Sequence, residues 1–438
     1  MAAVLGSAAL IAAGCGDDGD SGSSSNSGSD DTTSESASDD STTEPASDSS
    51  PISSPGVDLR VTLDRLLAEH AALALVALNK TIAGEKDAGA VVTALQGNTD
   101  DLSAAIGSVY GDDAAEAFKT QWEAHIGMFV EYATGVAKKD NAMKAKAKKD
   151  LAGYQASFAK FLNTAAGLDA KAAEGALGMH VMQLTTSLDQ FGAKQYDASY
   201  ASAREAYAHM YGTGDALSAA ISKQKPEDFG TGTVAAGTAD TRVLVDQQLA
   251  EHAFLAAVAL TKTMSGAKDA GAAVKALDGN SNDLAKTIGS VYGADAQQAF
   301  DTQWKAHIGM FVDYATGLAT DDDELKQKGA DDLAGYSESF GKFLATATDG
   351  DAGAFSDALD AHVAQLTGAL DAADEGDADE AWSLVREAYA HMFMTGDALT
   401  TAIVTQNPDK FPAGTDPNPA DAGSAGGGDT DDSMEMEK

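Results

Sequence analysis

"QWEAHIGMFVEYATG" (residues 121–135) and "QWKAHIGMFVDYATG" (residues 303–317) lie 182 residues apart in a chain of 438. They differ only at Glu123 against Lys305 and Glu131 against Asp313. In and just before the first copy, Trp122, Met128, Phe129, Phe118 and Tyr132 stand three, four and seven residues from His125. That period places one apolar stripe on a helix and predicts that the imidazole faces a helical interior.

Working outward, the same offset aligns residues 58–229 with 240–411 without a gap. "LAEHA" at 67–71 meets its copy at 249–253, "IGSVYG" at 106–111 meets 288–293, and "DLAGY" at 150–154 meets 332–336. "HVMQLT" and "HVAQLT" begin at His180 and His362. A unit this long is a domain and not a solenoid repeat. The expected fold is all-α, with two tandem homologous helical bundles at 58–229 and 240–411, each of five to six up-and-down helices. Residues 230–239 read as the hinge.

Local signals fill in the unit. Leu63, Leu67, His70, Ala74 and Ala77 mark one face of the first helix, and later helices are expected over roughly 113–138, 141–165, 170–193 and 197–223. "GNTDDL" at 97–102 reads as a helix start, with Asn98 as N-cap and Asp101 at the positive end. "GNSNDL" repeats it at Asn280 and Asp283. Gly111 ends that helix, and Asp113 is expected to cap the next.

Charge narrows the function classes. A net charge of −39 argues against nucleic acid as a partner, because phosphate is bound by Lys and Arg. Residues 16–50 hold ten acids and no Lys or Arg, and residues 413–438 hold seven acids against Lys438. Both termini read as disordered, and the middle remains acidic, as suits a solvated surface at high salt. The start, "MAAVLGSAALIAAGCGDDGD", is short, apolar and ends in small residues before the single cysteine. Residues 1–14 read as an export signal, and "AAGC" resembles the lipobox in which the cysteine, here Cys15, is lipidated. Residues 15–57 would then tether the folded part to the outer face of the cell membrane, and residues 412–438 form an acidic tail. One cysteine excludes a disulfide framework and a CxxCH haem motif.

All eight histidines fall on the repeat: His70, His125, His180 and His209 match His252, His307, His362 and His391. Each sits near the middle of a different expected helix, so four rings per bundle are placed to converge. Neutral imidazole is a ligand for copper, zinc, iron or nickel, and bundles build such sites from inward-facing side chains. Met128 and Met310, three residues after His125 and His307, are possible further ligands. A His/Met set favours copper, or haem b with mixed axial ligation. The expected role is capture, storage or electron transfer. Patterns for enzymes are missing: Glu69 adjoins His70 instead of forming Glu-x-x-His, HExxH does not occur, and no Ser-His-Asp grouping is readable. The competing expectation is a surface or adhesion module whose histidines form a buried polar layer, bonded to Glu205, Gln183, Tyr132 or Tyr154.

Together "EHAFLAAVAL", "WxxHIGMFVDYATG", "HVxQLT" and "REAYAHMFMTGDAL" resemble a helical domain, often duplicated, of exported proteins and lipoproteins of Gram-positive bacteria. Some of its relatives look like proteins with a copper-amine-oxidase-type N-terminal domain. The resemblance implies an exported helical module and hints at copper; it carries no established activity.

Overall fold

In each half the first helix is the most completely buried. The computed structural model describes residues 51–230, Val234 and residues 237–411. Cys15, the expected signal, most of the tether and the acidic tail lie outside the described residues. The first half comprises α1 (Pro55–Ala83), α2 (Ala88–Tyr110), α3 (Asp112–Lys138), α4 (Asn141–Ala166), α5 (Ala170–Gly192), α6 (Tyr196–Gln224) and the single turn α7 (Pro226–Phe229). The second comprises α8 (Gly237–Met264), α9 (Ala270–Tyr292), α10 (Ala294–Ala319), α11 (Asp323–Thr348), α12 (Ala352–Glu375) and α13 (Ala378–Gln406). No strand occurs among the described residues, so the all-α expectation is met with six long helices per half.

α1 is buried from Leu63 to Leu78 except at Arg65, with Asp64, Glu69 and His70 as the polar residues inside an otherwise apolar stretch. Ser54 starts it by accepting a hydrogen bond from the Val57 amide, and Gly84, at φ 72°, stops it. Its counterpart α8 is long and apolar enough to cross a bilayer, but 83% of that window is buried inside the protein. The apolar surface of α8 is therefore accounted for by packing. Successive helices lie side by side, and α6 closes the ring onto α1. Inside the ring α1, α3 and α5 touch one another, as do α8, α10 and α12. These inner triangles position the histidines. α6 approaches α1 closely because Gly214 faces Asp64, where an added Cβ would come within 2.0 Å of the carboxylate.

Two cap expectations fail. α2 starts at Ala88, so Asn98 lies in mid-helix and is fully buried. Its amide donates to the Leu66 carbonyl at 2.9 Å and to Glu69 at 2.7 Å; Asn280 bonds Gln248 and Glu251 in the same way. A residue that suits a cap locally is used here for a tertiary bond between helices. Asp101 and Asp283 likewise do not support a helix start but accept from Arg386 and Arg204. Gly111 does end α2, yet Gly111 is also the N-cap of α3, with Asp113 inside the first turn.

The halves meet along a pseudo-twofold seam. Arg204 grips Glu251 with two 2.8 Å bonds, and Arg386 grips Glu69 at 2.8 and 3.3 Å. Arg60 reaches Asp240 and the Val234 carbonyl; Arg242 reaches Asp58 and the Ile52 carbonyl. Each contact is matched by its copy 182 residues on, the arrangement of an isologous dimer built within one chain. Tyr207 and Tyr389 bond each other through their hydroxyls at 3.2 Å, across the axis. These contacts draw in the segments before both first helices. α1 begins inside the expected tether and α8 inside the expected hinge, and Ile52 and Val234 are buried.

Candidate metal centre

Each inner triangle of helices brings three histidines together. His70 of α1, His125 of α3 and His180 of α5 present ring nitrogens that all lie within 4.8 Å of one another; His252, His307 and His362 repeat the arrangement. All six side chains are buried, none more than 6% exposed. No Cys, Asp or Glu joins either trio among the described residues.

Burial sets the protonation state. Desolvation, reinforced by the neighbouring rings, pushes His125, His180, His307 and His362 down to about 3 and holds His70 and His252 well below the usual imidazole range. At neutral pH every ring is uncharged and offers a lone pair.

The Nε2 atoms of His70 and His125 stand 3.3 Å apart, as do those of His252 and His307. That is long for a hydrogen bond. It equals the edge of a tetrahedron around an ion with metal–nitrogen bonds of about 2.0–2.1 Å. Both ring nitrogens of His180 and of His362 have no hydrogen-bond partner. Unmet polar atoms in such a place cost about 1–3 kcal/mol each, and an ion satisfies lone pairs that the protein leaves unused. The donor set thus fits a metal ion, and two buried three-histidine groups able to hold one are present.

The surroundings are aromatic. Tyr154 stacks on His125 with ring centroids 4.9 Å apart, and Tyr336 stacks on His307 at 5.0 Å. Both tyrosine hydroxyls are buried without a partner. Trp122 packs on His70 and donates its indole N–H to Nδ1 at 3.2 Å. Trp304 lies equally near His252, but its indole nitrogen is unpaired. A cavity of about 40 Å³ beside His307 and His362 is lined almost wholly by apolar side chains such as Phe300, Leu359 and Met392.

Three of the four expected histidines per half converge. The fourth does not, because α6 and α13 lie outside the inner triangles. His209 is half-buried, with Nε2 3.0 Å from the Ala176 carbonyl, and His391 stands 2.9 Å from the Ala358 carbonyl. Met128 and Met310 are half-buried and pack against the apolar core. Haem b does not fit beside the second trio, where the enclosed space is only about 40 Å³, far smaller than a porphyrin. Of the partners expected for a polar layer, Tyr154 stacks on His125 with its hydroxyl unpaired, and two others are engaged elsewhere. Tyr132 bonds Asp189, and Gln183 donates to the Glu205 carbonyl. The roles of Trp122, Tyr154 and their copies were not read from sequence; their place in "QW" and "DLAGY", kept in both halves, was the available signal.

No protein-family model, no curated protein and no solved structure matches this chain.

Proposed function

We propose that this chain is a two-site copper protein of the cell envelope, holding one copper ion per histidine trio for capture, storage or electron transfer. In this reading Cys15 carries the lipid that tethers it to the membrane. The observation that carries the proposal is the pair of buried, uncharged trios with unpaired ring nitrogens. Imidazole nitrogen suits copper, zinc, iron and nickel. Burial without a carboxylate discriminates among them by charge, because the energy of placing an ion in a low-dielectric interior grows with the square of its charge. Monovalent copper therefore suits such a site better than a divalent ion.

The test is to load the full chain anaerobically with Cu(I) against a chromophoric chelator and measure bound copper. Two equivalents are expected. The H125A/H180A and H307A/H362A variants should each retain one, with affinity at the altered site lowered more than 100-fold, and the quadruple variant none. Helical content, followed by circular dichroism, should be retained. Wild-type protein that binds no copper, or a quadruple variant that still binds two equivalents, rejects the reading.

A further inference from the structure

We infer a second ligand site of a different kind: a cleft on the pseudo-twofold axis that binds one small organic anion carrying an aromatic body. The inference is independent of the metal reading. The cleft has a volume of about 890 Å³ and opens between the C-terminal ends of α1 and α8. Pockets for organic ligands measure about 300–1,000 Å³.

Its charge departs from that of the rest of the protein. Across the chain 68 acids stand against 29 bases. Around the cleft the ratio reverses, with Lys80, Lys86, Lys194, Lys262 and Lys268 against Glu85, Asp87 and Asp269. The three acids are already committed. Lys80 binds Glu85 and Asp87 at 2.6 and 2.7 Å; Lys262 binds Glu85 and Asp269 at 3.3 and 2.9 Å. Tyr200 adds a bond to Asp269 at 3.0 Å. The floor is thus a closed ion-pair network, with both of its lysines buried. Lys86, Lys194 and Lys268 remain at the rim, exposed and without an ion pair. These three lysines rim one cleft, with Lys86 and Lys268 coming from the two halves, so an anion placed there meets positive charge from both sides.

The walls supply the second half of the ligand's chemistry. Trp382 and Phe191 are buried and line the cleft, with half-buried Tyr196 beside them. Lys86 and Lys268 are copies of each other, so an anion between them is met symmetrically. The aromatic wall is asymmetric: Phe191 and Tyr196 correspond to Ala373 and Ala378, and Lys194 to Gly376. At these positions the first half contributes Phe191, Tyr196 and an extra cation where the second has small residues, and Trp382 comes from the second half alone. One ligand per chain follows, against two metal ions.

The experiment is calorimetric titration of the full chain with 1-naphthalenesulfonate, beside neutral 1-naphthalenemethanol and methanesulfonate, which lacks the ring. The expected result is saturation at one equivalent by the aromatic sulfonate and at least tenfold weaker binding of both controls. The K86E/K268E variant should lose at least tenfold in affinity while its thermal melt is unchanged, since both side chains are exposed. Quenching of Trp382 fluorescence, abolished in W382F, should accompany binding. No binding up to millimolar probe, equal binding of the neutral alcohol, or undiminished binding by K86E/K268E would each overturn the site.

Discussion

The two histidine trios sit on equivalent helices with the same 3.3 Å contact and the same stacked tyrosine, yet one hydrogen bond separates them. In the first, Trp122 donates to Nδ1 of His70, so a neutral ring must carry its proton on Nε2, towards His125. A metal taken at that Nε2 has to displace the proton and break the indole bond. In the second, neither the Trp304 nitrogen nor Nδ1 of His252 has a partner, and a small cavity adjoins the rings. Equal ligands at equal spacing therefore differ in readiness. The tautomer, and not the ligand count, separates the sites.

The largest effect tests what the trios have in common. All six rings titrate below their unfolded value of about 6.5. Above that pH neither state is protonated and their contribution to stability is complete. As pH falls towards about 3 the unfolded chain takes up protons that the folded rings refuse, and stability is lost by up to about 1.4 kcal/mol per ring per pH unit. Asp64 and Asp246 oppose this, since burial raises both above the ordinary carboxylate value, so their contribution is greatest in acid and lost as pH rises. Six rings outweigh two carboxyls. Denaturant melts of metal-free protein should show a steep decline between pH 6.5 and 4, relieved by bound copper. A flat profile would mean that the rings are not held neutral.

An intermediate effect tests whether the halves are equivalent at their seam. Arg204→Ala and Arg386→Ala each strand a buried glutamate, Glu251 or Glu69, and each should destabilise the chain by about 3–5 kcal/mol. Unequal losses in urea melts would show that the seam is less symmetric than its contacts. The smallest effect sharpens the contrast between the sites. Trp122→Phe removes the bond that fixes His70, and copper affinity at the first site should rise about 5- to 30-fold, the worth of one to two kcal/mol. Trp304→Phe should leave the second site within about twofold. If both variants respond alike in competition titrations, the tautomer does not set the difference.

Much of this was legible because it repeats with the period of the helix or of the duplication. The stripe around His125 gave its burial, and the offset of 182 gave the pairing of every histidine. The failures share one cause. Asn98 and Asp101 look like a helix start within six residues, but Glu69 and Arg386, 29 and 285 residues away, claim them. His209 sits on a helical face like the others, and only the packing order places α6 outside the triangle. The seam had a readable trace: of five arginines, four fall into offset pairs, Arg60 with Arg242 and Arg204 with Arg386. What they bind across the axis was not in that pattern.

By itself the sequence determined the helices, the duplication and which residue types face inward, because periodicity and composition act through local geometry and burial. Only the tertiary structure decided that three histidines meet and a fourth does not. It also decided that the indole fixes one tautomer, and that the copies join along an axis with an unpaired cluster of lysines at its end. Those outcomes depend on which helix packs against which, and the physical reason is that packing partners are chosen by surfaces far apart in the chain.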